Sequence, residues 1–336
     1  MSGKPQNFGS TRILLCKRAL IWLKKSRIFR VKKDSDADGY LLLKKSAGLT
    51  SFDSLSLVKR SLGTHRLGHT GTLDKFAEGL LVILVGRSTK LVQWFSAQDK
   101  VYEGVFHFGI ETDTLDCEGV EIARAEVPTE DAILAQLPSF TGTILQRPPE
   151  YSAIHIQGKR ASDLARSGVS VEMKSRSIVI YDFELLDFQA PRATFRIHCS
   201  SGTYIRSLAR DLARAVGSRA FVEKLVRTSV GQFSLYDAVD VSETEDAPEA
   251  VRRALKKVDR AAFEALGAAI FEAEDPVARN IALGRPLQFE ALKRQGPENP
   301  SDLGNFGGVF SQDGRFLAVI TQENGLWRYG YVYDRP

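Results

Sequence analysis

Strand-like and helix-like segments succeed one another in this chain without the regular strand–helix alternation of a doubly wound sheet, which assigns it to the α+β class. Residues 40–45 form a short apolar strand pattern, and residues 80–85 are uninterrupted apolar residues, a continuous strand candidate. Residues 100–108 alternate as a half-buried strand does, and 178–188 with 193–199 read as a strand pair. Helices are predicted over 52–62 with Thr50-Ser51 as the cap, over 131–137 with Thr129 as the cap, over 204–215 ended by Gly217, and over 250–255. Between 146 and 176 the sequence turns polar, carries Pro148-Pro149, Gly158 and Gly168, and reads as a long excursion from the sheet. After Gly267, glycines and prolines punctuate the chain before a strand-rich stretch at 316–333, so a second, smaller unit is expected there.

The 336 residues suggest two domains with ample chain for a core. A content of 43% hydrophobic and 26% charged residues excludes a disordered chain, and no apolar run approaches the roughly eighteen residues of a membrane span. Three widely spaced cysteines, Cys16, Cys117 and Cys199, give neither a disulfide framework nor a zinc ribbon and suit a reducing cytoplasm. The formal charge of +5 is unevenly placed. The first 33 residues hold ten of the 46 basic residues and no acid, so the rest of the chain carries 36 basic residues against all 41 acids, a net −5. Residues 1–37 therefore read as an extension outside the folded body, either an organelle presequence or translation from upstream of a start near Asp38. Any polyanion site in the body must be a local patch.

Gly68-His-Thr-Gly-Thr-Leu-Asp74 offers one carboxylate from a loop whose backbone can approach a ligand closely. From composition alone Asp74 reads first as a helix cap. A phosphate loop fails because His69 stands where a lysine is needed. His65 and His69 are separated by Gly68, which argues against a helix that would present both to a metal, and no metal is expected. The stretch from Thr112 to Gly119, with Asp113 and Asp116, lacks calcium-loop spacing and reads as a turn. Residues 192–227 hold eight basic residues against two acids. On a 204–215 helix, Arg206, Arg210 and Arg214 form an i, i+4, i+8 stripe, which is destabilising unless an anion faces it; the plain alternative is a solvated face relieved by Asp211. The 146–176 excursion adds six basic residues against three acids. Two such patches on an acidic body point to RNA.

Gly68-His-Thr-Gly-Thr-Leu-Asp74, continuing through Ala77 to Gly79-Leu80, closely resembles the nucleophile motif of the TruB family of tRNA pseudouridine synthases. Further family-like segments follow in order from about Tyr40 to Phe233. They include Lys45 with Gly48-Leu-Thr-Ser51, Gly86-x-x-Thr-Lys90, Lys100-Val-Tyr102, Gly109-x-x-Thr-Asp-Thr-x-Asp116, Gln146-x-Pro-Pro-x-Tyr-Ser-Ala153, Cys199-Ser-Ser-Gly-Thr-Tyr-Ile-Arg206 and Leu225-x-Arg227. The resemblance implies a pseudouridine-synthase-type mixed, largely antiparallel sheet flanked by helices. It places the catalytic domain at 38–265, with a thumb-like insertion at about 146–176, and a small C-terminal β-rich (PUA-like) domain at 266–336. It also implies a cofactor-free isomerisation of the T-loop uridine at tRNA position 55. Asp74 would be the nucleophile and Arg206 its partner; Tyr102 would stack on the target base and take part in proton transfer. Tyr204 and Leu225 would line the base pocket, and His69 would stabilise the flipped-out RNA. Lys90, Arg147, Lys159, Arg160, Arg210 and Arg214 are candidate contacts to the RNA backbone. A cytoplasmic monomer acting on the tRNA T-arm, without a membrane or protein partner, is expected. Two rival readings are an RNA-binding or RNA-folding module of weak activity and a guide-RNA-dependent synthase.

The chain departs from the family pattern at several points. Lys75 stands where proline usually follows the nucleophile, which puts a cation beside Asp74, and Glu78 would oppose ionisation of Asp74 if the segment were helical. Lys44, Ser46 and Ser162 replace the usual aspartate, proline and aromatic residue.

Overall fold

A computed structural model describes residues 37–156, 158–167, 173–242, 244, 246–295 and 305–333. The extension expected at 1–37 lies outside these residues except for Ala37, as does Cys16. Two sheets organise the molecule. The larger has nine strands, with a main path running Gly39–Lys45, Glu78–Val85, Ala220–Val230, Lys100–Phe108, Arg192–Cys199, Arg176–Gln189 and Gly142–Gln146. All of its pairings are antiparallel except that of Ala220–Val230 with Glu78–Val85. The mixed, largely antiparallel architecture is therefore present.

The apolar run at 80–85 is continuous because both faces of its strand are covered. Leu81, Ile83 and Val85 pack with Val58 and Leu62 of the Ser51–Leu62 helix and Val251 of the Ala247–Ala254 helix. Leu80, Val82 and Leu84 face the other way, into a cluster with Tyr40, Phe95 and Phe233. The Ser51–Leu62 helix begins at Thr50, whose hydroxyl accepts from the Asp53 backbone N–H while Asp53 reaches back to the Thr50 N–H. This is a capping box. The Ile205–Ala215 helix buries Ile205, Leu208, Ala209, Leu212 and Ala213 against Phe106, Phe195 and Val222 of the sheet. Truncating such a leucine costs about 2–5 kcal/mol.

The chain leaves the sheet at Gln146 and returns at Arg176, and these two residues pair with each other. The intervening excursion has a small core of its own, in which Ile154, Ile156 and Leu164 surround Ala161 and Met173. The second sheet starts at Ala269, two residues beyond the compositional change at Gly267. Its order is Leu292–Gln295, Ala269–Ala273, Phe306–Ser311, Phe316–Glu323 and Leu326–Val332. Phe263, Phe310 and Phe316 join it to the Tyr40, Phe95 and Phe233 cluster of the larger sheet.

Candidate active site

Asp74 lies in a loop between the Leu67–His69 and Glu78–Val85 strands. It caps no helix, and Glu78 opens a strand, so neither the cap reading nor the helical i+4 placement of Glu78 holds. The loop is tied down on both sides of Asp74. The Leu73 N–H donates to Ser51 Oγ at 3.0 Å, and the Gly48 N–H donates to the Lys75 carbonyl at 2.7 Å. Buried Lys45 donates through Nζ to the carbonyls of Leu49 and Ala77, each at 2.6 Å. Fully buried Arg227 donates through Nε to the Leu80 carbonyl at 2.8 Å and through Nη2 to the Gly71 carbonyl at 3.1 Å. Gly79 allows this closure: its φ is +114°, and a Cβ there would lie 2.4 Å from the Arg227 carbonyl oxygen.

Arg206 meets Asp74 from the first turn of the Ile205–Ala215 helix. Gln146 sets the start of that helix by accepting from the Tyr204 N–H at 2.8 Å and donating to the Tyr204 carbonyl at 3.1 Å. The Arg206 guanidinium grips Asp74 with two bonds, Nε to Oδ2 at 2.8 Å and Nη2 to Oδ1 at 3.1 Å. It also donates to the carbonyls of Thr114 at 2.7 Å and Tyr151 at 2.9 Å, and lies 3.4 Å from Asp116 Oδ2. Arg206 is 4% exposed, while the Asp74 side chain keeps 37%. The bidentate fork fixes the direction of the carboxylate and leaves it open on the solvent side. Burial pushes the Asp116 carboxyl above the usual range, against the opposing effects of the Thr114 hydroxyl and Arg206. The stretch read as a turn therefore also anchors the arginine.

Asp74 opens into a cleft of about 740 Å³ that Tyr102, Leu225, Tyr204, His69 and Arg206 also line. The expected catalytic and base-contacting residues thus converge on one cavity. Tyr102 is buried, which raises its phenol above 10.0 and keeps it protonated at neutral pH. Burial, helped by Arg227, lowers His69 below 6.5, so its ring is neutral at pH 7, and its Nδ1 accepts from the Gly71 N–H at 3.4 Å. Three residues that the sequence did not single out for the site sit around it: Asp116, Lys100 and Arg227. Arg227 carried a signal, as a charge in register with the apolar positions Ala220, Val222 and Leu225 of its strand. Lys100 also lines the cleft, and burial lowers it to about 8.

The expected backbone contacts divide. Arg147 and Lys159 are exposed on the excursion, and the Arg160 side chain lies outside the described residues. Lys90 is exposed on the Gly86–Leu91 turn, away from the cleft lining. Arg210 and Arg214 are used internally. Arg210 donates to Asp211 Oδ1 at 2.8 Å and to the Arg147 carbonyl at 2.9 Å, and Arg214 donates to buried Glu111 at 2.7 Å. The anions that face the arginine stripe belong to the protein, so the like-charge argument for RNA on that helix falls. Lys75, beside Asp74 in sequence, pairs with Glu118 at 2.8 Å.

Among the described residues, no helix is long and apolar enough to cross a membrane. A family model, TruB family pseudouridylate synthase (N-terminal domain), matches residues 59–205. The tRNA pseudouridine synthase B of Treponema denticola is 50% identical over 214 residues, which are 58% of this chain and 60% of that protein. The protein of the same name from Borreliella burgdorferi is 46% identical over 204 residues, 60% of this chain and 72% of that one. Among solved structures, a chain of a Cbf5-Nop10-Gar1 complex shares the fold with a TM-score of 0.63 at 22% identity, covering 88% of this chain and 83% of that one. On these matches, the chain belongs to the TruB family of pseudouridylate synthases.

Proposed function

We propose that this protein isomerises the uridine at position 55 in the T-loop of tRNA to pseudouridine, as a cytoplasmic monomer acting on the T-arm without a guide RNA. The reaction breaks the bond from N1 to the sugar, turns the detached base, and rejoins it through C5, whose proton is lost while N1 gains one. It needs an ionised group at the sugar–base junction and a pocket that retains the loose ring. The observation that carries the reading is the bidentate Asp74–Arg206 pair at the floor of an aromatic-walled cleft. Arg206 keeps Asp74 aimed into the cleft, which suits a nucleophilic or charge-stabilising carboxylate.

Flipping the uridine costs a few kcal/mol, and stacking on Tyr102 returns roughly 1–3 kcal/mol. Tyr102 is protonated at neutral pH, so it supports the base as a stacking face and as a proton donor rather than as a strong base. Leu225 and Tyr204 confine the ring, and neutral His69 takes the place vacated in the RNA stack. The exposed cations Arg147 and Lys159 meet the phosphates of the T-arm.

The test is incubation with a T-arm stem-loop, followed by pseudouridine-specific chemical mapping. Wild type is expected to modify the T-loop uridine, and Asp74→Asn to lose at least about 1000-fold in rate while still binding RNA. No product from wild type, or undiminished product from Asp74→Asn, overturns the proposal.

A further inference from the structure

Arg176 has no part in that chemistry, yet it lines the same cleft. It is the residue at which the excursion rejoins the sheet. Its guanidinium carbon lies 4.7 Å from the centroid of the Tyr204 ring, and Nη2 donates to the Gly202 carbonyl. Its Nε is buried without an acceptor. Among the described residues no carboxylate pairs with it. Arg206, by contrast, has two carboxylates and two carbonyls around it. A half-buried cation resting on a ring face, with a buried donor unspent, has the chemistry to take an anion.

We propose that Arg176 binds a phosphate flanking the flipped nucleotide, and that the face of Tyr204 is the position it leaves when that phosphate arrives. This rests on the function proposed above, because an RNA whose target base enters beside Tyr204 brings its own phosphates within reach of the guanidinium. Arginine suits the task better than lysine, since its planar fork can stack on a ring in one state and take two phosphate oxygens in the other.

The test is RNA binding, measured separately from turnover, with T-arm stem-loops in which the phosphate 5′ or 3′ of the target uridine is replaced by a neutral methylphosphonate. Arg176→Gln is expected to weaken binding on the order of tenfold at 0.1 M salt and to flatten the dependence of log K on log salt by about 0.7–0.9. One of the two neutral linkages is expected to cost wild type a similar factor and to cost Arg176→Gln nothing. An unchanged salt slope, or equal losses in both backgrounds, overturns the proposal. Should Arg176→Gln fail to fold, Arg176→Lys carries the same cycle: neutralisation must cost it less than wild type, and equal costs refute the contact. Wild-type turnover on the unmodified stem-loop is the control. Its absence would sink the isomerase reading, whereas an additive binding cycle sinks only the role of Arg176.

Discussion

Arg206, Arg210 and Arg214 recur every fourth residue along one helix, whereas Arg147, Lys159 and Arg166 are strung along the excursion between strands. Counted from sequence, both segments are basic patches. In the fold, all three arginines of the helix and two on its neighbouring strands meet carboxylates: Arg206 meets Asp74, Arg210 Asp211, Arg214 Glu111, Arg192 Glu223 and Arg196 Glu184. On the excursion, Arg147 and Lys159 are exposed, and among the described residues no carboxylate pairs with either. Arg166 has only a 3.5 Å contact to Asp163 between two exposed side chains. The difference follows from whether a carboxylate of the protein is at hand. Arg206 and Arg210 are buried and must find partners within the protein, and Arg192, Arg196 and Arg214 reach carboxylates although their side chains stay exposed. A count of basic residues therefore locates RNA contacts only where no carboxylate of the protein claims them.

The largest break in this comparison is Arg206→Gln. Asp74 would lose both bonds of the fork, and Asp116 its cation. The expected result is a fall of at least about 100-fold in single-turnover rate, with the salt slope of RNA binding unchanged. A variant that binds RNA with a clearly flatter slope would show that Arg206 also meets phosphate, and the division between the two segments would fail.

Next in size is a paired test of the two segments. Arg147→Gln with Lys159→Gln is expected to flatten the salt slope by about 1.4–1.8 and to weaken binding by tens of fold at 0.1 M salt. Arg210→Gln with Arg214→Gln removes as much formal charge but takes from Glu111, which is 4% exposed, its hydrogen-bonded cation and leaves it only Arg219 at 3.8 Å. That variant is expected to lose about 2–4 kcal/mol of stability in a urea titration, with the salt slope kept. Equal slopes for the two double variants would erase the distinction.

These contrasts also mark what the sequence could tell. The strand at 80–85 was legible because a continuous apolar run admits few other readings, and the excursion was legible from its polarity down to the residues, 146 and 176, where it leaves and rejoins the sheet. The arginine stripe was legible as helical spacing, but its partners were not. Asp74 and Glu111 come from elements 132 and 103 residues away, and no local pattern records such a pairing. Asp74 itself was ambiguous from composition, because aspartate before an apolar segment is more often a cap, and only the resemblance of the whole motif pointed to chemistry. Asp116 was hidden for a related reason. Its loop does form turn-like bonds, with Thr114 Oγ1 donating to Asp116 Oδ1 at 2.6 Å, so the turn reading was right and incomplete.

The smallest effect concerns the buried cations that have carbonyls rather than carboxylates. Lys45 is held by Leu49 and Ala77, and Lys100 by Ser96 at 2.7 Å and by Gln98. Burial lowers each from 10.5 to about 8; nearby Asp74 and Glu78 only partly offset this for Lys45. The unfolded chain keeps both lysines protonated to about 10.5, so above pH 8 it binds more protons than the folded protein, and stability rises with pH. Cys199 acts in the opposite sense above pH 9, because burial raises its thiol from 9.0 to about 12 and the folded protein then holds a proton that the unfolded chain releases. The window is therefore pH 8 to 9, with an expected gain of about 1 kcal/mol in urea unfolding. Lys100→Met should remove its share of that rise, while Lys159→Gln, on the solvated excursion, should leave the curve as it is. A flat wild-type curve would mean that Lys45 and Lys100 stay charged in the fold, and that carbonyls alone satisfy an internal cation.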